Sequence, residues 1–388
     1  MFAMLHGAWP RVTADGTDLA ALEADVEGGR AEPATLSAAI EAVVAHVLAA
    51  QTEAGLGLLT DGHVRWADPA GAVLAAVAAK EMGEQGLLVT AWKAAAAAAA
   101  ALTPDASAAS VAQVAQAIPG PYSLARRVID QAVRSAVDAG ETPPDQTRED
   151  DARADVALSV ADALADEIGA LAAAGCQVIL VEEPEAVHIG EDAAERALFA
   201  AAGTRLLAQA SGVHAMLVLT GGNADAVGWR TVFGPPWQSL LVDLIDGPDN
   251  WRLVREAPGD RGIIAGGFSL TDPDGADQTP QLVWAAHYAA SANGRGFDRI
   301  GLANAQPAGG HTAEHLRAAV TQLAAAARLA TMAPADAIEA GLDPKAIADA
   351  RSMPALANRE TRRKTKKVSG PVQKPATPVR RSGSEASN

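Results

Sequence analysis

The sequence is poor in cysteine, with a single one, Cys176, in 388 residues. One cysteine excludes an intramolecular disulfide and every zinc motif that is built on several cysteines. Cys176 comes directly before an apolar segment, and an apolar environment raises the pKa of a thiol. We therefore expect Cys176 to be a small buried core residue and not a nucleophile.

The sequence also lacks long hydrophobic runs and phosphate-binding loops. No apolar run approaches the roughly 20 residues that span a bilayer. The N-terminal segment MFAMLHGAWPR has no charged leader followed by a long apolar core. We therefore expect a cytoplasmic protein without a membrane partner. GxGxxG and GxxxxGK[ST] motifs are missing, which counts against an open nucleotide-binding sheet.

The charge is distributed unevenly along the chain. The net charge is −16, yet residues 359–388 carry nine Lys/Arg and two Asp/Glu, so the rest of the chain carries −23. An acidic body argues against nucleic-acid binding, except through this basic segment. Low apolar content predicts a disordered tail over 358–388, after a folded domain over 1–357. RRKTKK (362–367) either contacts an anionic partner or is simply solvated.

The most informative stretch is LAAAGCQVILVEEP, residues 171–184. Gly175 fits the left-handed position that ends a helix. Val178 to Val181 is a continuous apolar run, which is typical of a strand buried on both faces of a parallel sheet. Glu182 and Glu183 then stand at the carboxyl end of that strand, where α/β folds gather their chemistry.

Strand-like and helix-like segments alternate along the remaining chain, which predicts right-handed βα units. Helices are predicted over 36–54, 71–82, 154–174, 191–210, 280–292 and 312–332. Strands are predicted at the first segment, at 58–60, 86–90, 111–118, 178–181, 213–219, 239–244, 262–265 and 299–303. Residues 140–152 predict a polar loop, either a lid or a surface insertion. The predicted fold is a (β/α)8 TIM-type barrel, with an open doubly wound sheet as the alternative.

Several predicted strand ends resemble the cobalamin-independent methionine synthase family in its short, single-barrel form. The matching pieces cover about residues 1–332 and follow the family's order. They are GAWPR (7–11), AGLGLLTDGHVRWAD (54–68), PGPYSL (119–124), ALADEIGALAAAGCQVILVEEP (163–184), VHAMLVLTGG (213–222), SLLVDLID (239–246) and GLANAQPAGG (301–310). The uroporphyrinogen decarboxylase branch shares the same barrel.

The resemblance implies a zinc ion held by a His, two Cys and a Glu. In that family zinc activates the thiol of homocysteine, which takes a methyl group from a methylated folate; a zinc-bound thiol is deprotonated at neutral pH. His214 matches the His ligand and Asp243 stands near the Glu ligand. Met216 stands where the first Cys belongs, and no second Cys occurs around Pro307.

Substrate-binding positions are also altered. His63 replaces the Glu of the family's DGE turn, and Glu182 replaces the Asp of its DEP turn, whereas Glu183 is kept. These three residues are the candidate catalytic set. Together with His214 and Asp243 they are all expected on one face of the barrel. Two His and a carboxylate suffice for a catalytic zinc or another divalent ion.

Three functions remain open at this point. The first is transfer of a methyl group to a small thiol or amino-acid-like acceptor such as homocysteine, with a folate donor. The second is a non-catalytic relative that binds a small ligand. The third is a scaffold that docks through its basic tail.

Overall fold

The computed structural model describes residues 1–102, 112–142, 145–271 and 277–350. The predicted boundary at 357/358 and the basic tail lie outside these residues. The domain limits therefore stay a prediction.

The described part of the chain contains nine short strands. They are β1 (Phe2–Ala3), β2 (Leu58–Leu59), β3 (Gln113–Val114), β4 (Gln116–Pro119), β5 (Val178–Glu182), β6 (His214–Leu219), β7 (Ser239–Asp243), β8 (Gly262–Phe268) and β9 (Ile300–Asn304).

Helices fill the connections between the strands. They are α1 (Leu19–Glu27), α2 (Pro33–Ala54), α3 (Pro69–Ala79), α4 (Leu87–Leu102), α5 (Pro121–Asp138), α6 (Gln146–Ala174), α7 (Ala193–Leu206), α8 (Trp229–Val232), α9 (Trp251–Glu256), α10 (Thr279–Ser291), α11 (Ala313–Thr331), α12 (Pro334–Glu339) and α13 (Pro344–Ala350).

The strands form a parallel ring of eight positions. Seven are hydrogen-bonded in the order β1-β9-β8-β7-β6-β5-β4, and β2 pairs with β3. Only Ala115 separates β3 from β4, and its N–H donates to Leu59 O at 2.8 Å, so β3 and β4 act as one ring position. The N–H of Gly57 donates to Ala3 O at 3.2 Å and joins β2 to β1. The predicted (β/α)8 barrel is confirmed. The alternative prediction, an open doubly wound sheet, is wrong because the ring of strands closes.

The inside of the ring is apolar. Side chains that alternate along the strands point inward and form a separate buried cluster. Its members are Met4, Leu58, Ala115, Ala117, Val178, Leu180, Met216, Val218, Leu241, Ile264 and Ala303. The larger cluster lies between the ring and the helices. Polar chemistry is therefore confined to the two ends of the barrel.

The strand predicted over 86–90 is wrong, because α4 begins at Leu87 and includes the rest of this segment. A short apolar run fits a strand and a buried helix equally well. The carboxylate of Glu167 on α6 decides the outcome: it accepts the N–H groups of Leu88 at 2.8 Å and Val89 at 3.0 Å. A buried carboxylate on the first N–H groups of a helix stabilises that helix end.

The polar segment 140–152 is largely helical where it is described, since α6 already begins at Gln146. Asp145 caps this helix by accepting from Arg148 N at 3.0 Å. The segment is therefore not a long loop, and a lid, which was predicted from the length of such a loop, is no longer indicated.

One described helix, α2, is long and apolar enough to cross a membrane by length and composition alone. In the fold, Val43, Val44, Val47 and Leu48 of α2 are buried in the shared core. This apolar face is accounted for by packing within the protein. Cytoplasmic location stays a prediction.

Candidate functional site

Glu182 and Glu183 end the fifth strand on opposite sides of the barrel wall. Val178 and Leu180 face the interior, so Glu182 follows them inward at the mouth, by which we mean the end formed by the carboxyl ends of the strands. Ile179 and Val181 pack in the outer core, and Glu183 follows them outward. Of the two carboxylates, Glu182 is therefore the one in a position to meet a ligand.

Glu183 supports the fold at the mouth. It is 3% exposed, and its carboxylate accepts the N–H groups of Tyr122 at 3.1 Å and Ser123 at 2.7 Å, at the start of α5. A Cβ on Gly120 would lie 2.1 Å from the carboxyl carbon of Glu183, so a side chain at this position would displace the carboxylate from these hydrogen bonds. Burial raises the pKa of Glu183 to about 7, although the hydrogen bonds from Ser123 and Tyr122 act to lower it. Glu183 joins the PGPYSL segment to the fifth strand.

His63 lies beside Glu182, with its Nε2 3.4 Å from Glu182 Oε1. The turn after β2 sets this position: Asp61 Oδ1 accepts the N–H of His63 at 3.0 Å, and His63 adopts a left-handed φ of 54°. Burial raises the pKa of the Glu182 carboxyl, with a further contribution from Asp61 and an opposing one from His63. The structure thus places two of the predicted site residues next to each other.

The GAWPR segment holds the His63 turn in place. The N–H of Trp9 donates to Gly62 O at 2.7 Å, and Arg11 Nε donates to Val64 O at 2.8 Å. A Cβ on Gly62 would lie 2.8 Å from Trp9 Cβ, so the close approach requires glycine. Two of the matching sequence pieces thus hold each other at the mouth.

Asp61 brings a second carboxylate near Glu182. It is 7% exposed, and its Oδ2 lies 3.4 Å from Arg65 Nε, which gives the turn its own counter-charge. Arg65 also pairs with Glu41 on α2. Asp61 therefore has a cationic partner of its own, whereas Glu182 is the carboxylate that faces the opening.

Sequence reasoning missed His6, which directly follows the first strand at the same end. His6 is 2% exposed, and burial together with the charge of His63 lowers its pKa to about 4. A signal was present, because His6 lies two residues after inward-facing Met4, as Glu182 lies two residues after Leu180. His6, His63 and Glu182 form the polar centre of the mouth.

Asp243 lies at the mouth, as expected, but its oxygens are already occupied. The side chain is fully buried and accepts the N–H groups of Gly221 at 3.2 Å, Ile245 at 2.9 Å and Asp246 at 2.9 Å. These contacts connect the loops that follow β6 and β7. Asp243 therefore holds the two loops together, and both of its oxygens already accept backbone N–H groups.

The prediction that His214 lies at the mouth is wrong. His214 is the first residue of β6 and pairs with Val178, the first residue of β5, whereas Glu182 is level with Val218. His214 Nε2 lies 2.8 Å from Ser239 Oγ and lines a cavity of about 490 Å³ at the opposite end of the barrel. The strand was predicted at 213–219 and is observed at His214–Leu219, so the prediction of the strand was correct. His214 stands at its amino end, whereas the resemblance had placed this residue at a carboxyl end.

The donors at the mouth do not fit zinc. The only cysteine in the sequence, Cys176, is 2% exposed, precedes β5 at the far end, and donates to Val178 O at 3.3 Å. Burial raises its thiol pKa to about 11, which confirms the expected core role. The inward positions late in β6 are Met216 and Val218. Within the described residues, no group of three His, Cys, Asp or Glu side chains is arranged to hold a metal ion.

With the geometry established, comparison with known proteins assigns a family. The sequence model described as "Cobalamin-independent synthase, Catalytic domain" matches residues 5–215, more than half of the chain. The chain belongs to the cobalamin-independent synthase family. The matched region includes the mouth residues His6, His63, Glu182 and Glu183. No curated protein matches the sequence.

Solved structures of this family share the fold. A putative vitamin-B12-independent methionine synthase from Listeria monocytogenes aligns with a TM-score of 0.58 at 14% identity, over 85% of this chain and 96% of that one. A B12-independent methionine synthase from Shewanella sp. W3-18-1, in complex with selenomethionine, aligns with a TM-score of 0.56 at 11% identity, over 84% and 96%. At these identities the likeness establishes the barrel and not the activity.

Proposed function

We propose that this family member binds a small amino-acid-like molecule at the mouth of its barrel, with the ammonium group of that molecule held by Glu182. The observation that carries this proposal is the inward-facing Glu182 carboxylate beside His63. Glu182 retains a partly exposed side chain, 22% accessible, in an otherwise buried strand.

Glu182 has unused capacity to accept hydrogen bonds. Its contact with His63, at 3.4 Å, is longer than the 2.7–3.2 Å of a normal N–H···O bond. Burial and Asp61 both oppose its negative charge. A cationic ligand group would relieve both effects, and a charge-assisted hydrogen bond is about twice as strong as a neutral one. The methionine synthase from Shewanella contains selenomethionine, an amino acid, which agrees with this ligand class.

A second function, transfer of a methyl group to that ligand, is favoured by the family match over residues 5–215. The donor set argues against the zinc-thiolate route, because the one cysteine and His214 lie at the far end and Asp243 is occupied by backbone N–H groups. Without a Lewis acid, a free thiol with a pKa of about 8.5 stays mostly protonated at neutral pH. We therefore expect methyl transfer from a methylated folate to homocysteine to remain near background.

Calorimetric titration with two matched compounds tests the binding proposal. L-methionine carries the ammonium group, and 4-(methylthio)butanoate is the same molecule without it. We expect the wild-type protein to bind L-methionine at least about tenfold more tightly, and Glu182→Gln to remove that preference with little loss of thermal stability. Glu185→Gln, three residues along the chain and paired with Arg126, is the control that should retain it.

One result would contradict the binding proposal, and a second would contradict the expected lack of a zinc-thiolate route. Equal binding by wild type and Glu182→Gln, combined with a melting temperature several degrees lower in the variant, would make Glu182 a structural residue. Stoichiometric zinc in protein purified without chelator, measured by mass spectrometry, would show that the donor set has been misjudged.

A further inference from the structure

The amino end of the barrel, where the strands begin, contains the cavity of about 490 Å³ that His214 lines. Its other lining residues come from neighbouring positions of the ring: β1, β2, β3 and β5. The volume lies within the range of roughly 300–1,000 Å³ that is typical of small-molecule sites, and the ends of closed barrels are a common place for such sites. This cavity lies at the opposite end of the barrel from the mouth and from Glu182.

The floor of the cavity is apolar. Leu58, Val178 and Met216 point into the ring and belong to its inner cluster, and Phe2 packs against this cluster. An aromatic ligand buries apolar area on such a floor and also makes favourable contacts with the thioether sulfur of Met216 and the ring of Phe2. The floor therefore favours an aromatic molecule.

Two glycines keep side chains away from the rim of the cavity. A Cβ on Gly57 would lie 2.9 Å from Phe2 Cβ, so a side chain there would force part of the floor to move. Gly212 has a left-handed φ of 79°, which favours glycine, and no described atom outside its chain neighbours lies within 4 Å of a Cβ built on it. The local backbone thus leaves this side of the cavity open.

The rim of the cavity presents a pair of amides. Gln113 Nε2 donates to Gln177 Oε1 at 2.6 Å. A primary amide has two N–H donors and an oxygen with two lone pairs, so this single bond leaves the pair with capacity both to donate and to accept. A ligand that carries an amide has the same two functions side by side. The rim is therefore complementary to an amide group.

The lining of the cavity is uncharged. Among the residues that the structure describes there, none is Asp, Glu, Lys or Arg. Partial burial of the imidazole lowers the pKa of His214, so the ring is neutral at pH 7. An ionised ligand group would lose hydration in this cavity without gaining an ion pair, which costs free energy. The cavity therefore discriminates against charged molecules, whereas the mouth exposes the carboxylate of Glu182.

We propose that the amino end of the barrel is a second binding site, which takes an uncharged aromatic molecule with an amide group. The aromatic body of this molecule rests on Phe2 and Met216, and its amide is hydrogen-bonded by Gln113 and Gln177. The site is independent of the amino-acid-like ligand proposed for the mouth.

Two compounds of the same shape test the proposal. 2-Naphthamide has an aromatic body with an amide group, and 2-naphthoate has a carboxylate in place of the amide. We expect saturable binding of 2-naphthamide to the full-length protein in equilibrium dialysis at pH 7.5, at least about tenfold tighter than the binding of 2-naphthoate. Equal binding of the two compounds, or no saturable binding of 2-naphthamide, would overturn the proposal.

A charge at the rim should change the preference. Gln177→Arg supplies a cation at an exposed position, so we expect 2-naphthoate to bind this variant at least as tightly as 2-naphthamide. Gln146→Arg makes the same change at the exposed start of α6, outside the cavity, and is the control that should keep the preference for 2-naphthamide. An unchanged preference in Gln177→Arg would show that the compound does not bind at this rim.

Crossed titrations separate this proposal from the proposed function. We expect Glu182→Gln to bind 2-naphthamide as the wild type does, and Gln177→Arg to bind L-methionine as the wild type does. Loss of 2-naphthamide binding in Glu182→Gln would place the compound at the mouth and overturn this proposal alone. Failure of the wild type to bind L-methionine, with the preference for 2-naphthamide intact, would refute the proposed function and support the second site.

Discussion

Buried polar side chains are hydrogen-bonded to different extents at the two ends of the barrel. At the end where the strands begin, buried polar side chains mostly reach backbone partners: Arg295 donates to the carbonyls of Ala289, Arg261 and Ala257 at 2.6–3.0 Å. At the mouth, His6 Nε2 has no hydrogen-bond partner among the described residues, and Asp61 Oδ2 has only its ion pair with Arg65 Nε at 3.4 Å. Trp237 Nε1, just before β7, is the exception at the first end.

This difference separates groups that stabilise the fold from groups that are available to a ligand. A buried polar atom costs free energy unless it is paired, so a set of unpaired atoms persists only where it serves another purpose. Glu183 and Asp243 show that the mouth also contains fully paired carboxylates, which fix helix α5 and the exit loops. Glu182, in contrast, has only the 3.4 Å contact with His63 and keeps a partly exposed side chain, so it is the carboxylate at the mouth that is available to a ligand.

The strongest test of the paired polar groups at the mouth is Asn304→Leu. The N–H of His6 donates to Asn304 Oδ1 at 3.0 Å, and Asn304 Nδ2 donates back to His6 O at 2.9 Å. The substitution leaves the N–H of His6 and one bond to its carbonyl unmade in a buried site, so we expect a loss of roughly 3–5 kcal/mol in the free energy of unfolding. Urea unfolding followed by circular dichroism measures it. A loss below about 1 kcal/mol would show that the connection between the first and last strands is weak.

Two residues at the mouth should give opposite pH dependences. The pKa of His6 falls from 6.5 to about 4 in the folded state, so its contribution is present above pH 6.5 and is lost as the pH falls through 4. The pKa of Glu183 rises from 4.5 to about 7, so its contribution is present below pH 4.5 and is lost as the pH rises through 7.

Each of these shifts corresponds to about 3 kcal/mol across its range. The free energy of unfolding should be measured between pH 4 and 8 for the wild type and both variants. In His6→Leu we expect its decrease toward acidic pH to disappear. In Glu183→Gln we expect its decrease toward alkaline pH to disappear. Glu183→Gln also loses a hydrogen bond at every pH, so the slope is the informative quantity. Parallel profiles for wild type and variants would refute the environments described for both groups.

Asp243→Asn separates a loop connector from a metal ligand. An amide nitrogen cannot accept the N–H groups of Gly221, Ile245 and Asp246 as the carboxylate does, so we expect a loss of about 2 kcal/mol. Added zinc should leave the melting temperatures of wild type and variant unchanged. A zinc-dependent rise confined to the wild type would return Asp243 to the metal ligands.

The smallest effect is expected at the opposite end. Ser239→Ala removes the hydroxyl that lies 2.8 Å from His214 Nε2, in a contact whose histidine is exposed. A loss of at most about 1 kcal/mol and unchanged binding of L-methionine are expected. A clear loss of binding would show that the end where the strands begin also contributes to the ligand site.

Much of the fold was readable from local patterns. The apolar run 178–181 predicted a buried strand, with Glu182 and Glu183 at its carboxyl end, and the strand is observed at Val178–Glu182. Gly175 ends helix α6 with a left-handed φ of 99°, as the sequence indicated. Ordered motifs such as GAWPR and PGPYSL indicated the family before any geometry was known.

What the sequence determined by itself is most of the alternating strands and helices and the family, because these follow from side-chain period and local motifs. The tertiary structure decided the rest. Pairing register placed His214 level with Val178 instead of Glu182. Glu167, nearly eighty residues away along the chain, made 87–89 helical. The clamp from Asn304 to His6 spans 298 residues. Such contacts depend on which distant backbone groups meet when the ring closes, and no local pattern encodes that.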